Sequence, residues 1–261
     1  MMRTLRQISA FSLNTLLEGL RNKVLYAVLL AALGALGAAS AFGALSLHQE
    51  ERLFNNLVFV IGHLFLVALA IYQGVNALWR EIDSKTIFTV LSKPVTRGAF
   101  LVGKYAASAA ILTLCWALMF GAKALAALAL GYDVGALHLA TYLGSWMQLM
   151  IVLATAFFFS AFSGPLLSAL FTFGLFVLGS LTPQLADAAR QFSQEGNPVH
   201  LILQAALLVI PDLEKLNLSY ELANAMAVGS TYLLQALLYT GVCVTLLLSL
   251  AYLIFSRRDF A

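Results

Sequence analysis

Residues 53–78 read LFNNLVFVIGHLFLVALAIYQGVNAL, a run without a single lysine, arginine, aspartate or glutamate. At about 1.5 Å of rise per residue such a helix reaches roughly 39 Å, more than the ~30 Å hydrocarbon core of a bilayer. A segment this long and this free of charge predicts a membrane-crossing helix. Its few polar members lie on one side: at about 100° per residue, Asn55, Asn56, His63, Gln73 and Asn76 fall within an arc of roughly 160°, together with Gly62 and Gly74. Two readings fit that arc. It lines a path through the membrane, or its amides and glycines let neighbouring helices pack closely.

Working outward, similar runs occupy residues 24–45, 105–130, 141–162, 166–181 and 231–255. Over the whole chain 61% of the 261 residues are hydrophobic and 10% charged, against about 25% charged in an ordinary soluble domain. Too little polar surface exists to cover a water-soluble fold. The expected fold class is therefore all-α, a polytopic membrane protein whose single domain (1–261) has six transmembrane helices. Residues 1–23 put Leu5, Ile8, Leu16 and Leu20 on one helical side and Arg3, Gln7, Asn14, Glu18 and Arg21 on the other, the pattern of an interfacial helix. Ser163-Gly164-Pro165 leaves only a tight link between the fourth and fifth runs, which predicts an antiparallel pair. Segment 182–230 holds the apolar run Leu201 to Ile210, too short to span and stopped by Pro211, so a re-entrant or interfacial helix is expected before the last span.

Orientation follows from the basic residues, which stay on the cytoplasmic side during insertion. With the amino terminus inside, one side collects Arg3, Arg6, Arg21, Lys23, Arg80, Lys85, Lys93, Arg97, Lys104, Arg257 and Arg258, and the other only Arg52, Arg190 and Lys215. Both termini and segment 79–104 are thus placed in the cytoplasm, and 182–230 outside. Lys123 is the one basic residue within a span, about two turns from its outer end; it either snorkels to the outer interface, the simpler reading, or meets an anionic headgroup. His63 reads as a hydrogen-bonded interior residue.

The two cysteines, Cys115 and Cys243, lie in apolar runs and imply no disulfide framework, and the four histidines show no metal-ligand spacing. Gly98 to Tyr105 approaches the phosphate-binding pattern G-x-x-x-x-G-K-[ST] but ends in tyrosine, which cannot supply the small hydroxyl that magnesium needs. No nucleophile with a partnering base falls within a span, Ser160 and Ser163 having no nearby histidine. The chain is expected to be no enzyme itself, and nothing suggests nucleic acid.

Segment 79–104 is long for a connection between spans, and Ile87, Phe88, Val90 and Leu91 oppose Lys85, Thr89, Ser92 and Lys93, with Pro94 as a stop. A helix lying on the membrane surface is one reading; a docking element is the other. The run WREIDSKTIFTVLSKPVTRGAFLVGK (79–104) resembles the cytoplasmic loop of type-2 ABC exporter permeases, with Glu81, Thr86, Leu91, Pro94, Val95, Arg97, Gly103 and Lys104 in the family order and Lys85 where glycine is usual. Ile210 to Leu218 and the terminal Phe255 to Phe260 resemble further pieces of the same family, closest to the permease group named for multicopper-enzyme maturation. The resemblance implies a homodimer in the bacterial inner membrane, two copies of a separate cytoplasmic ATPase that binds ATP and magnesium, and 79–104 as the coupling helix. By the same resemblance, Glu81, Thr86, Leu91, Pro94, Arg97, Gly103 and Lys104 couple to the ATPase. From the spans, Asn55, His63, Gln73, Asn76 and Lys123 are the candidate pathway residues. An ATP-independent secondary transporter or channel, and a mechanical transmitter acting on a periplasmic accessory protein, are the competing functions.

Overall fold

The computed structural model describes residues 21–43, 50–83, 97–132, 134–195, 197–224, 228–229 and 231–257, apart from the side chains of Val24, Leu36, Ser40 and some others near helix ends. The interfacial helix expected at 1–23 and the centre of the cytoplasmic segment lie outside that set. In chain order the helices are α1 (Lys23–Gly43), α2 (Glu50–Asp83), α3 (Arg97–Ala129), α4 (Ala136–Ser160), α5 (Pro165–Ser180), α6 (Thr182–Gln194), α7 (Val199–Val209), α8 (Ser219–Ala223) and α9 (Tyr232–Arg257), with one 3-10 turn at Glu214–Leu216. The protein is all-α over the described residues, and four helices, α2, α3, α4 and α9, are long and apolar enough to cross a membrane.

Helices α2 and α3, at 34 and 33 residues, each extend about 50 Å and therefore project beyond the apolar slab. No proline or glycine interrupts Trp79 to Asp83, so α2 continues past the apolar run into its polar tail. Helix α4 sits at the centre, packed by α2, α3, α5 and α9. Small residues at Gly144, Ser145, Ala154, Thr155 and Ala156, all buried, allow that crowding. Helix α9 is its opposite, a peripheral helix whose Leu234, Leu238 and Val242 are exposed to what would be lipid.

The fifth predicted span takes a different course. Helix α5 has only 16 residues, about 24 Å and short of a full crossing, and it bends by 67° into α6. The cause is Pro183, the second residue of α6, which lacks an N–H and whose ring excludes a helical bond at the carbonyl four residues back, that of Gly179. That carbonyl is used otherwise: Thr182 Oγ1 donates to it at 2.7 Å and the Leu213 N–H at 3.1 Å. The bent pair counts as one further crossing or as a re-entrant element, so four to five candidate spans are established where the sequence predicts six. The expected short helix before the last span is α7, 11 residues with none buried, preceded by the amphipathic α6 that the sequence reading takes as loop.

Candidate transport pathway and coupling surface

One end of the bundle is built on the first two turns of α3, which meet the last turn of α9. Thr86, Leu91 and Pro94 lie outside the described residues, and Glu81 is described only as backbone in the last turn of α2. Arg97 Nη1 donates to the carbonyls of Phe255, at 3.2 Å, and Ser256, at 2.8 Å. Carbonyls in the last turn of a helix have no intrahelical donor and carry the negative end of its dipole, so a guanidinium there both bonds and neutralises. Phe100 stacks on Phe255 with centroids 6.1 Å apart and planes 15° apart. A Cβ at Gly98 would meet the Tyr252 ring at 3.4 Å. Gly103 and Lys104 are buried, with Lys104 Nζ 5.9 Å above the Phe100 ring. The start of α3 and the end of α9, which belong to two of the segments that resemble permeases, thus meet, one guanidinium nitrogen of Arg97 bonding two carbonyls of α9. Residues 98–105, the near-miss phosphate loop, are plain α-helix, and Tyr105 donates its hydroxyl to the Met150 carbonyl at 3.1 Å.

Along α2 most of the polar arc faces its own bundle, while Asn56 is exposed. A Cβ at Gly74 would collide with Ala156 Cβ and lie 3.2 Å from the Leu153 carbonyl oxygen of α4, and one at Gly62 would lie 3.2 Å from Met119 Cε of α3. Asn55 and Gln73 are buried, while Asn76 Nδ2 donates to the Tyr72 carbonyl of its own helix at 2.8 Å. Asn55 Oδ1 and Gln73 Nε2 are buried without a hydrogen-bond partner among the described residues, and none of the three amides lines the cavity that the arc does help to form. That cavity lies between α2, α3 and α4 and is walled by Val58, Phe59, Gly62, His63, Met119, Lys123, Tyr142 and Ser145 among others. Lys123 is 1% exposed and turns inward, its Nζ 5.3 Å above the Tyr142 ring, which corrects the snorkelling expected from sequence. His63 stacks parallel on Phe59, at 5.7 Å, and tilts against Phe176 of α5, at 6.2 Å. The imidazole is wholly inside the bundle, with the Gln148 side chain beside it as a hydrogen-bonding neighbour.

Near the N-terminal ends of α4 and α9, residues 210–218 form a wedge driven between α4, α5 and α9. Leu213, Leu216 and Leu218 are its buried knobs. Its backbone is tied on every side: the Asp212 N–H donates to Tyr239 Oη at 2.7 Å, Gln148 Nε2 to the Leu213 carbonyl at 3.4 Å and Tyr232 Oη to the Lys215 carbonyl at 3.0 Å. Glycines make room for it. A Cβ at Gly144 would overlap the Leu216 carbonyl oxygen, and one at Gly179 would come within 2.7 Å of the Pro211 oxygen. Beside the wedge opens a pocket of about 330 Å³ that shares Phe59 and His63 with the inner cavity and adds Gln148, Phe176, Glu214 and Asn217. Gln148, Tyr142 and Gly144 are residues the sequence reading passes over; an amide in the middle of an apolar run, four residues after a glycine, is the available signal.

Burial pushes the Glu214 carboxyl above the usual carboxylate range, the hydrogen bonds from Asn217 oppose this, and the neighbouring Asp212 and Glu221 charges add to it. A carboxyl that holds its proton longer folded than unfolded loses stability as pH rises through and above about 4.5, its ordinary value. The half-exposed position keeps the effect small. The expected result is a slightly lower melting temperature at pH 7 than at pH 5, with Glu214→Gln narrowing the difference; a wild-type and variant that shift identically with pH would contradict the assignment.

Residues 16–260 match the ABC-2 family transporter protein description. A relative, the probable ABC transporter permease protein NosY of Pseudomonas aeruginosa, is 34% identical over 155 residues, covering 57% of this chain. The chain spans only 55% of that relative's length in the match. Multiple apolar helices, a centrally packed α4 and a family match across nearly the whole sequence lead to one assignment: the chain belongs to the ABC-2 family of transporter proteins.

Proposed function

We propose that the chain is the membrane-spanning subunit of an ATP-driven exporter, coupling hydrolysis by a separate ATPase to movement of a substrate across a bacterial inner membrane. In this reading α1, α2, α3, α4, the bent α5 and α9 make six crossings, both termini and residues 79–104 face the cytoplasm, and two copies of the chain carry two ATPase subunits that bind ATP and magnesium. The observation that carries it is the clamp of Arg97 and Phe100 on the last turn of α9. A push on the coupling segment is passed at once to α3 and α9, whereas a surface helix resting on lipid would need no such tie. Packed helices with two arrangements then turn a difference in ATP affinity into a shift between membrane conformations.

A second reading, transmission of ATPase motion to a periplasmic protein, is favoured by α7, whose Leu208 and Val209 are 88% and 80% exposed. One experiment separates these from an ATP-independent transporter. Tagged full-length protein is purified from its native membrane in mild detergent, with Glu81→Ala beside the wild type. A stoichiometric ATPase is expected with the wild type and largely lost from the variant, at unchanged melting temperature. Recovery of no ATPase from either, across several detergents, sinks the proposal.

A further inference from the structure

The pocket of about 330 Å³ beside the wedge is walled mainly by apolar side chains, yet it contains a carboxylate without a counter-charge among the described residues. That group is Glu214, which is half-buried. The basic residue next to it, Lys215, is committed to Asp212, 3.3 Å from its carboxylate, and to the Tyr239 ring. Both Glu214 oxygens accept from Asn217 Nδ2 at 3.2 Å, and the Asn217 side-chain carbonyl accepts from the Ser219 N–H at 3.1 Å, so the carboxylate is held in one orientation. Its two oxygens offer about four acceptor sites, and Asn217 takes up no more than half of them. Neighbouring donors are spent elsewhere: Gln148 Nε2 on the Leu213 carbonyl at 3.4 Å, and Ser180 Oγ on the Phe176 carbonyl at 2.9 Å. Glu221, whose Oε2 is buried with no partner among the described residues, adds to the negative potential at Glu214.

We propose that this pocket binds a small organic ammonium ion, its charge against the Glu214 carboxylate and its apolar body among Phe59, Phe176, Val177 and Leu181. The occupant follows from what the wall lacks. A fixed carboxylate with spare lone pairs and no cation calls for a donor that carries positive charge, and a half-buried charge gains more from such a partner than an exposed one does. An anion would meet Glu214, whose negative field Asp212 and Glu221 reinforce. A bare metal ion would need several oxygen ligands at once, whereas Glu214 is the one carboxylate in a wall made largely of hydrocarbon and aromatic rings. Phe59 and Phe176 both line the pocket and are fixed by packing on His63, with centroids 5.7 Å and 6.2 Å from it; aromatic rings attract ammonium groups. The volume is at the lower end for small-molecule sites, enough for one ring or a short alkyl body and too little for a two-chain lipid. Val60 and Leu64, each 53% exposed, also line the pocket, so its mouth lies beside α2. The assignment does not rest on the exporter reading, and its test needs no ATPase.

The test uses full-length protein in phosphatidylcholine nanodiscs, titrated by calorimetry against empty discs with three probes of nearly equal size: phenylbutylammonium, phenylbutanol and phenylbutyrate. The ammonium is expected to bind saturably, at one site per chain, with the alcohol and the carboxylate at least about tenfold weaker. Glu214→Gln keeps the side-chain size and is expected to erase that preference. Val177→Phe fills the pocket and is expected to remove binding of all three. An alcohol that binds wild type as well as the ammonium does overturns the assignment, whether or not the variants accumulate. So does an ammonium preference that survives in Glu214→Gln or in Val177→Phe. Replacing part of the phosphatidylcholine by phosphatidylethanolamine separates a free amine from a lipid headgroup: the affinity for phenylbutylammonium is expected to stay the same, and competition by the lipid would overturn the assignment to a free amine.

Discussion

Replacing Gly144 by valine is expected to lower the melting temperature of the protein by roughly 6–12 °C in detergent, the equivalent of about 3 kcal/mol. The obstacle is backbone: the first added carbon overlaps the Leu216 carbonyl oxygen and lies 3.4 Å from both the Leu216 carbonyl carbon and Tyr232 Oη. A flexible side chain would swing aside; a carbonyl inside a 3-10 turn does not. Relief requires the wedge to lift, and lifting it breaks the bonds from Gln148 to Leu213 and from Tyr232 to Lys215. Overpacking of a core ordinarily costs about 1–3 kcal/mol, and these coupled losses set the expectation at the top of that range. Gly174→Ala is the matched control. Nothing lies within 4 Å of a Cβ there, so melting should be unchanged or slightly raised, since alanine is the better helix former. Melting of Gly144→Val within about 2 °C of wild type would show that the wedge is not seated as described.

Phe255→Ala is expected to be the most damaging change where α3 meets α9, by about 3–5 kcal/mol. Its side chain is 0% exposed and stacks on Phe100, so truncation leaves a void that the last turn of one helix cannot refill. Arg97→Ala removes two hydrogen bonds to carbonyls and should cost less, about 1.5–3 kcal/mol. Because both act on the same turn of α9, the double variant should fall clearly short of the sum. In a reconstituted complex with the proposed ATPase, the ratio of substrate moved to ATP hydrolysed should drop in both. Additive melting shifts, with that ratio unchanged, would mean that the clamp stiffens α9 without transmitting anything.

Where sequence and structure agree or part company, the reasons are physical. Apolar runs at 53–78, 105–130, 141–162 and 231–255 are long, and Lys123 is the only charge that interrupts them; bilayer thickness alone then dictates helices, and α2, α3, α4 and α9 are there. Run 166–181 looks the same to a count of apolar residues, but Pro183 two positions beyond it dictates a bend that composition does not register. Lys123 is misread when a cation in a span is judged by its depth rather than by its phase. Ile111, Cys115, Met119 and Ala127 lie at intervals of four or eight on the same side of α3, and every one is buried; that spacing already points Lys123 inward. Arg97 is a different kind of case: the resemblance assigns it to the loop's partner, whereas its hydrogen bonds depend on carbonyls 158 and 159 residues away, a proximity no local pattern encodes.

The Gly179 carbonyl, released by Pro183 and shared by Thr182 Oγ1 and the Leu213 N–H, also implies an order of assembly. The bend between α5 and α6 forms from neighbouring residues, whereas the Leu213 N–H has to be brought back to it from beyond α6 and α7. A bare carbonyl in hydrocarbon costs several kcal/mol, and Thr182, three residues from Gly179, is the donor already at hand. The hydroxyl therefore serves first as a placeholder that lets a broken helix exist in lipid, and the wedge arrives later to a landing site that is already shaped, its acceptor pointing toward the incoming chain.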